Sequence, residues 1–98
     1  MSSKPPPASE TDWYVYLVQC RDGTFYCGST NRPAMRFAAH RTGRGARYTR
    51  SRGAAAMRTV ACCLTRSAAL KTEYRIKRLP RRIKQALWDS GISVQAAE

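Results

Sequence analysis

The sequence predicts an α+β domain, with helices flanking a three-stranded antiparallel sheet in the order β-β-α-β-α-α. Three observations carry that reading. Trp13 to Thr30 holds two aromatic and β-branched runs joined by Arg21-Asp22-Gly23, and Met57 to Leu64 is a third apolar run of strand length. The stretches after them open on helix-start residues and repeat apolar side chains at helical spacing.

Taken in order, residues 1–11 are rich in Pro, Ser and Ala and are expected to be a flexible tail. In the hairpin, Gly23 stands where a type I turn followed by a left-handed residue needs glycine, which makes the link three residues long. Cys20 then faces Thr24, Val18 faces Tyr26 and Tyr16 faces Gly28. The phenols of Tyr16 and Tyr26 therefore share one face, with Gly28 leaving open space beside Tyr16. Asn31-Arg32-Pro33 reads as a capping Asn with Pro in the first turn of a helix that runs to about Arg41. On it Arg36 and His40 lie one turn apart on one face; periodicity alone reads them equally well as a solvated basic surface. Residues 43–53 are expected to be a loop, by their glycines and lack of apolar period.

Met57 to Leu64 is apolar enough to be the central or best-covered strand. Thr65 or Ser67 caps a helix from about Arg66 to Leu79, stopped by Pro80, with Ala69, Leu70, Tyr74, Ile76 and Leu79 as its apolar arc. Pro80 opens a last helix whose core contacts are Ile83, Leu87 and Trp88, ended by Ser90-Gly91. The domain is thus expected over 12–91, with 92–98 a C-terminal tail.

Composition narrows the function. The 98 residues suit one domain and one modest core. A formal net charge of +12 implies a polyanionic partner, nucleic acid first. All but two of the 18 basic residues, Lys4 and Arg21, lie between Gly23 and Trp88, where the sole acid is Glu73. No apolar run approaches the roughly 18 residues of a membrane span, and the start lacks a secretory signal, so a cytoplasmic monomer with no membrane partner is expected. The four cysteines form no Cys-x-x-Cys pair and are expected as buried free thiols rather than as zinc ligands or disulfides.

Glu73 is the most informative acid. At about 100° per residue it falls in the middle of its helix's apolar arc, away from Lys71, Arg75 and Arg78. A carboxylate facing a sheet must be neutral, paired or cation-bound. Either it forms a salt bridge to Arg36 or Lys77, or it is a ligand for Mg²⁺, completed by water and phosphate oxygens. In the basic stretch, Arg44, Arg47, Arg50 and Arg52 are candidate phosphate contacts and Tyr48 a stacking platform for an unpaired base; the plainer alternative is a soluble basic loop.

Tyr14-Val15-Tyr16 and Tyr26-Cys27-Gly28, ten positions apart at their tyrosines, resemble the two halves of the GIY-YIG nuclease motif, with Tyr14 where Gly is usual and Cys27 in place of Ile. The Arg and His spacing of Arg36 and His40 is similar to that of family members, and the run Gly43 to Arg50 resembles a segment of the small stand-alone ones. The resemblance covers about Asp12 to Gly91. It implies a GIY-YIG-like fold and a catalytic set of Tyr16, Tyr26, Arg36, His40 and Glu73, with Arg32 matching a basic residue that other members place after the second triplet. The late Asn of some branches has no counterpart, since Asn31 is the only asparagine.

The expected activity is divalent-metal-dependent endonucleolytic hydrolysis of phosphodiester bonds in nucleic acid, DNA favoured, in repair, recombination or DNA processing, with recruitment by larger machinery. Glu73 would hold Mg²⁺ or Mn²⁺ and Arg36 would stabilise phosphate charge. Tyr16 or Tyr26 would orient or deprotonate water with His40 bonded to one phenol. A histidine starts at a pKa of about 6.5 and a tyrosine at about 10, so His40 is also a candidate base. A catalytically silent nucleic-acid-binding module of the same fold is the alternative. A third reading, an RNA-associated basic protein, would need neither phenol hydroxyl.

Overall fold

The computed structural model describes residues 12–97; the expected N-terminal tail lies outside the described residues. Its elements run β1 (Trp13–Cys20), β2 (Phe25–Thr30), α1 (Pro33–Arg41), α2 (Arg47–Arg52), β3 (Ala54–Cys63), α3 (Arg66–Lys77), α4 (Arg81–Asp89) and β4 (Ile92–Ser93). The strands form one antiparallel sheet in the order β2-β1-β3-β4.

The hairpin has the expected register. Gly23 takes a φ of +85°, its N–H donates to the Cys20 carbonyl at 2.9 Å, and the Cys20 N–H donates to the Thr24 carbonyl at 2.8 Å. Tyr16 pairs with Gly28 and Val18 with Tyr26, so both phenols face the same side. The space at Gly28 is not open, however: a Cβ there would sit 2.6 Å from Tyr16 Cζ, because the phenol lies across the glycine.

The sheet has four strands rather than three. Ile92–Ser93 pairs with Arg58 and Thr59, the Val94 N–H bonds the Met57 carbonyl at 3.0 Å, and the Ala97 N–H bonds the Ala34 carbonyl at 3.0 Å. Residues 92–97, expected as a tail, thereby cross from the sheet to α1. Two paired residues leave no period to read in sequence. Both β1 and β3 are inner strands, but the best-covered one is β1, not β3, since Val15 to Val18 are each at most 1% exposed and β3 is only partly covered. β3 also starts three residues early, at Ala54, because pairing with β1 overrides the weak strand propensity of alanine. Opposite β1, Val60 is skipped between the Val15–Ala61 and Tyr16–Thr59 pairs, a bulge beside Tyr16.

Each face of the sheet carries its own core. Val15, Leu17 and Cys27 pack against Ala69 and Ile76 of α3 and Trp88 of α4. Tyr16, Val18, Cys20 and Met57 pack with Phe37 of α1 on the other side. The expected loop at 43–53 instead contains α2, six residues ended by Gly53 at a φ of +80° and too short for a helical period to show. In α3, Thr65 is the cap, accepting from the Ala68 N–H at 3.1 Å. Leu70 and Tyr74 are 46% and 61% exposed, whereas Ala69 and Ile76 are buried. The buried arc lies to one side of Glu73 and Leu70 and Tyr74 to the other, so Glu73 is at the border of the arc and not in its middle. All four cysteines are free; Cys20 and Cys27 are buried, but Cys62 is exposed.

Candidate active site

The site is built on the open edge strand β2 and draws side chains from both faces of the sheet. On the α1 side, Tyr16 points across Gly28 and its Oη lies 2.9 Å from His40 Nε2. Arg36, one turn before His40 on α1, donates from Nε to the same phenol oxygen at 3.4 Å. His40 Nδ1 lies 2.7 Å from Thr49 Oγ1 of α2. Tyr16, His40 and Thr49 are each 1% exposed. Tyr26 is half-buried beside them, its ring 5.5 Å from His40 and 5.9 Å from Tyr48.

Burial controls the protonation of this group. It pushes the Tyr16 phenol up to about 12, against the hydrogen bond and charge of Arg36, which act downward. Burial, and then the Arg36 charge, push His40 down to about 4. At neutral pH the pair is a phenol and a neutral imidazole, neither carrying charge.

On the α3 side the chemistry is ionic. Two-residue alternation along β2 turns Ser29 to the face opposite Tyr26, and Ser29 Oγ donates to Glu73 Oε1 at 2.7 Å. Glu73 Oε2 pairs at 2.7 Å with Lys77 one turn on; the carboxylate side chain is 14% exposed and the lysine 49%. That hydrogen bond raises the Lys77 pKa. Of the two salt bridges considered from sequence, the structure forms the one to Lys77. The two sides feel each other, since Glu73 adds to the rise at Tyr16 and Tyr26 adds to the rise at Lys77.

A cation fits one end of this arrangement only. Among the described residues no three His, Cys, Asp or Glu side chains are grouped as a metal cage. A single carboxylate with an exposed, displaceable lysine suits Mg²⁺, which keeps several waters and takes one or two carboxylates plus phosphate oxygens. It does not suit zinc, which takes three or four protein ligands.

The other predicted residues surround this centre. Arg32 is the N-cap residue of α1 and is exposed; its guanidinium reaches Met35 Sδ at 3.7 Å. Arg44, Arg47 and Arg50 are exposed on and before α2. Arg52 pairs with Asp22 at 2.7 Å and lies over the Tyr48 ring at 4.4 Å. Tyr48 is half-buried and packs on the same core as Tyr16, with Arg52 already against its ring.

Sequence reasoning missed three contributors. Ser29 was readable from the hairpin register, as a polar β2 residue on the face that meets α3. Gly45 and Thr49 had no periodic signal, although both lie in the run from Gly43 to Arg50 already noted for its resemblance. Their reason is now visible: a Cβ at Gly45 would sit 2.8 Å from His40 Cγ, and Thr49 holds the far nitrogen of the same ring.

Comparison with known proteins identifies the family. The family model described as GIY-YIG catalytic domain matches residues 12–86. A UPF0213 protein of Neisseria meningitidis serogroup C is 43% identical over 81 residues, covering 83% of this chain and 89% of the relative. A UPF0213 protein of Nitratidesulfovibrio vulgaris is 45% identical over 76 residues, 78% of this chain and 69% of the relative. Among solved structures, the solution NMR structure of the UPF0213 protein BH0048 from Bacillus halodurans is 38% identical, with a TM-score of 0.44 over 80% of this chain and 83% of that one. No helix among the described residues is long and apolar enough to cross a membrane.

Proposed function

The chain belongs to the GIY-YIG family of catalytic domains, a nuclease family, and from that premise we propose that it is a divalent-metal-dependent endonuclease that hydrolyses phosphodiester bonds in DNA. The observation that carries the reading is the meeting of two unlike groups across β2: the Arg36, Tyr16 and His40 cluster on one side and the Glu73 carboxylate on the other.

Hydrolysis requires a water oxygen to attack phosphorus while the bond to the leaving oxygen breaks, with charge growing on the phosphate. Arg36, half-buried and held through Nε, offers its terminal nitrogens to that charge. Tyr26 is the more exposed phenol and is the one that meets the attacking water. Tyr16, held at about 12, keeps its proton and supports Arg36. His40 has both ring nitrogens engaged and is 1% exposed, so it orients Tyr16 and does not itself meet water. Glu73 would hold Mg²⁺ or Mn²⁺ in place of Lys77, with Ser29 fixing the carboxylate. The bound cation would supply charge neutralisation at the phosphate. The exposed arginines Arg32, Arg44, Arg47 and Arg50 contact backbone phosphates without reading sequence. Such an enzyme serves repair, recombination or DNA processing, where a larger partner presents the substrate.

The Lys77 ion pair favours one alternative, a DNA-binding module whose carboxylate stays neutralised by lysine and holds no metal. Cleavage of labelled single-stranded and duplex DNA with Mg²⁺, Mn²⁺ or chelator, beside Glu73→Gln, separates the two. The enzyme reading expects metal-dependent cleavage that the variant loses while still binding DNA. Binding without cleavage under every condition supports the silent module instead.

A further inference from the structure

We infer that Thr49 is a positioning residue of this site: it holds the buried His40 imidazole in its Nδ1–H form and thereby sets the direction of the hydrogen bonds that aim Tyr16 and Arg36. The consequence for cleavage rests on the nuclease reading; the geometry stands without it.

Thr49 Oγ1 lies 2.7 Å from His40 Nδ1 and 3.0 Å from the Ala46 carbonyl oxygen, and it has one hydrogen to give. A carbonyl only accepts, and its second lone pair is free for this bond beside the Arg50 N–H at 3.0 Å. Giving the threonine hydrogen to Ala46 leaves its oxygen to accept from His40 Nδ1–H. A neutral imidazole has one N–H, which leaves Nε2 as the acceptor for the Tyr16 hydrogen at 2.9 Å. The Tyr16 oxygen in turn accepts from Arg36 Nε at 3.4 Å. Four hydrogens run in one direction, from Arg36 through Tyr16, His40 and Thr49 to the backbone, and each has its acceptor.

The reverse arrangement fails on counting. With Nε2 protonated, the Tyr16 oxygen would face N–H groups from both His40 and Arg36, and its own hydrogen would have no acceptor among the described residues. Burial makes such an orphan costly. Gly45 adds the second constraint, since a side chain there would press on the His40 ring, at 2.8 Å from Cγ and 2.9 Å from Cα. The ring is thus seated by Gly45 and turned by Thr49, and neither needs to touch the substrate.

The chain has a single histidine, so imidazole nitrogen NMR of ¹⁵N-labelled protein reports His40 alone. Near neutral pH the wild type is expected to show a protonated Nδ1 and a hydrogen-bonded, unprotonated Nε2. Thr49→Val should move the ring toward Nε2–H or a mixture, and Thr49→Ser should restore it. An Nε2–H ring in the wild type, or an unchanged ring in Thr49→Val, overturns the inference; if Thr49→Val does not fold, the wild-type and Thr49→Ser spectra decide it. In cleavage assays Thr49→Val should lower kcat about tenfold to a hundredfold with little change in KM for DNA, and Thr49→Ser should recover it. An Nδ1–H ring in a protein that cleaves no DNA with any metal would remove the nuclease reading and leave the positioning of His40 standing.

Discussion

The two sides of the site differ in how they are held. Toward α1 and α2, uncharged groups are locked in a dry series where each hydrogen has one acceptor and only Arg36, at its end, is charged. Toward α3, a carboxylate at the border of the core is shared between a serine and a half-exposed lysine. A buried neutral network is rigid, because breaking any bond strands a polar group away from water. An ion pair with one half-exposed partner is exchangeable, because solvent screens the lysine and another cation can take its place at the carboxylate. One side fixes geometry, and the other can trade a partner for a cation.

That contrast can be broken from either side. The largest effect is expected at Glu73→Gln, which removes the exchangeable charge: cleavage should fall on the order of a thousandfold while DNA binding holds or tightens slightly. Unchanged cleavage would take the carboxylate out of the chemistry. On the buried side, Gly45→Ala and Gly28→Ala force a methyl against His40 and Tyr16 respectively, with Tyr16 Cζ at 2.6 Å from the added carbon. Each should cost about 1–3 kcal/mol by urea unfolding, as overpacked sites do. A neutral result at either would mean that the rings are not pinned.

Acid sharpens the same point. His40 is held near 4 against an ordinary 6.5, so on acidification the unfolded chain takes up the proton first. Its neutral burial is fully tolerated above about pH 6.5, and stability is lost as pH falls toward 4, by up to about 3 kcal/mol. The urea midpoint of the wild type should drop more steeply over this range than that of His40→Gln, which has nothing to protonate. Parallel profiles would place the acid sensitivity elsewhere. The smallest effect is expected at Lys77→Met: about 1 kcal/mol in stability, since the mostly buried Glu73 carboxylate keeps its Ser29 hydrogen bond but loses its charge partner. Its Mg²⁺ affinity, by calorimetry, should rise, since the competitor for Glu73 is gone.

The same contrast explains what could be read from sequence. The hairpin register followed from Gly23 alone, and with it the shared face of Tyr16 and Tyr26; helical spacing put Arg36 with His40 and turned Glu73 toward the sheet. These are local periodic facts. What escaped was set by tertiary packing. The α2 helix is under two turns long and is stabilised by Thr49 and Gly45 meeting His40, not by any stripe of its own. Strand β4 exists because two residues happen to reach the free edge of β3. Leu70 and Tyr74 looked like core because helical projection cannot tell which border of an apolar arc meets the sheet.

The central claim is that both sides act on one phosphate. A double-mutant cycle on cleavage with Arg36→Lys and Glu73→Asp, variants that alter each group without abolishing it, tests this most directly. If the guanidinium and the carboxylate serve one transition state, the double variant should lose clearly less than the product of the two single losses. Losses that multiply would show two groups acting independently, and would contradict a single site straddling β2.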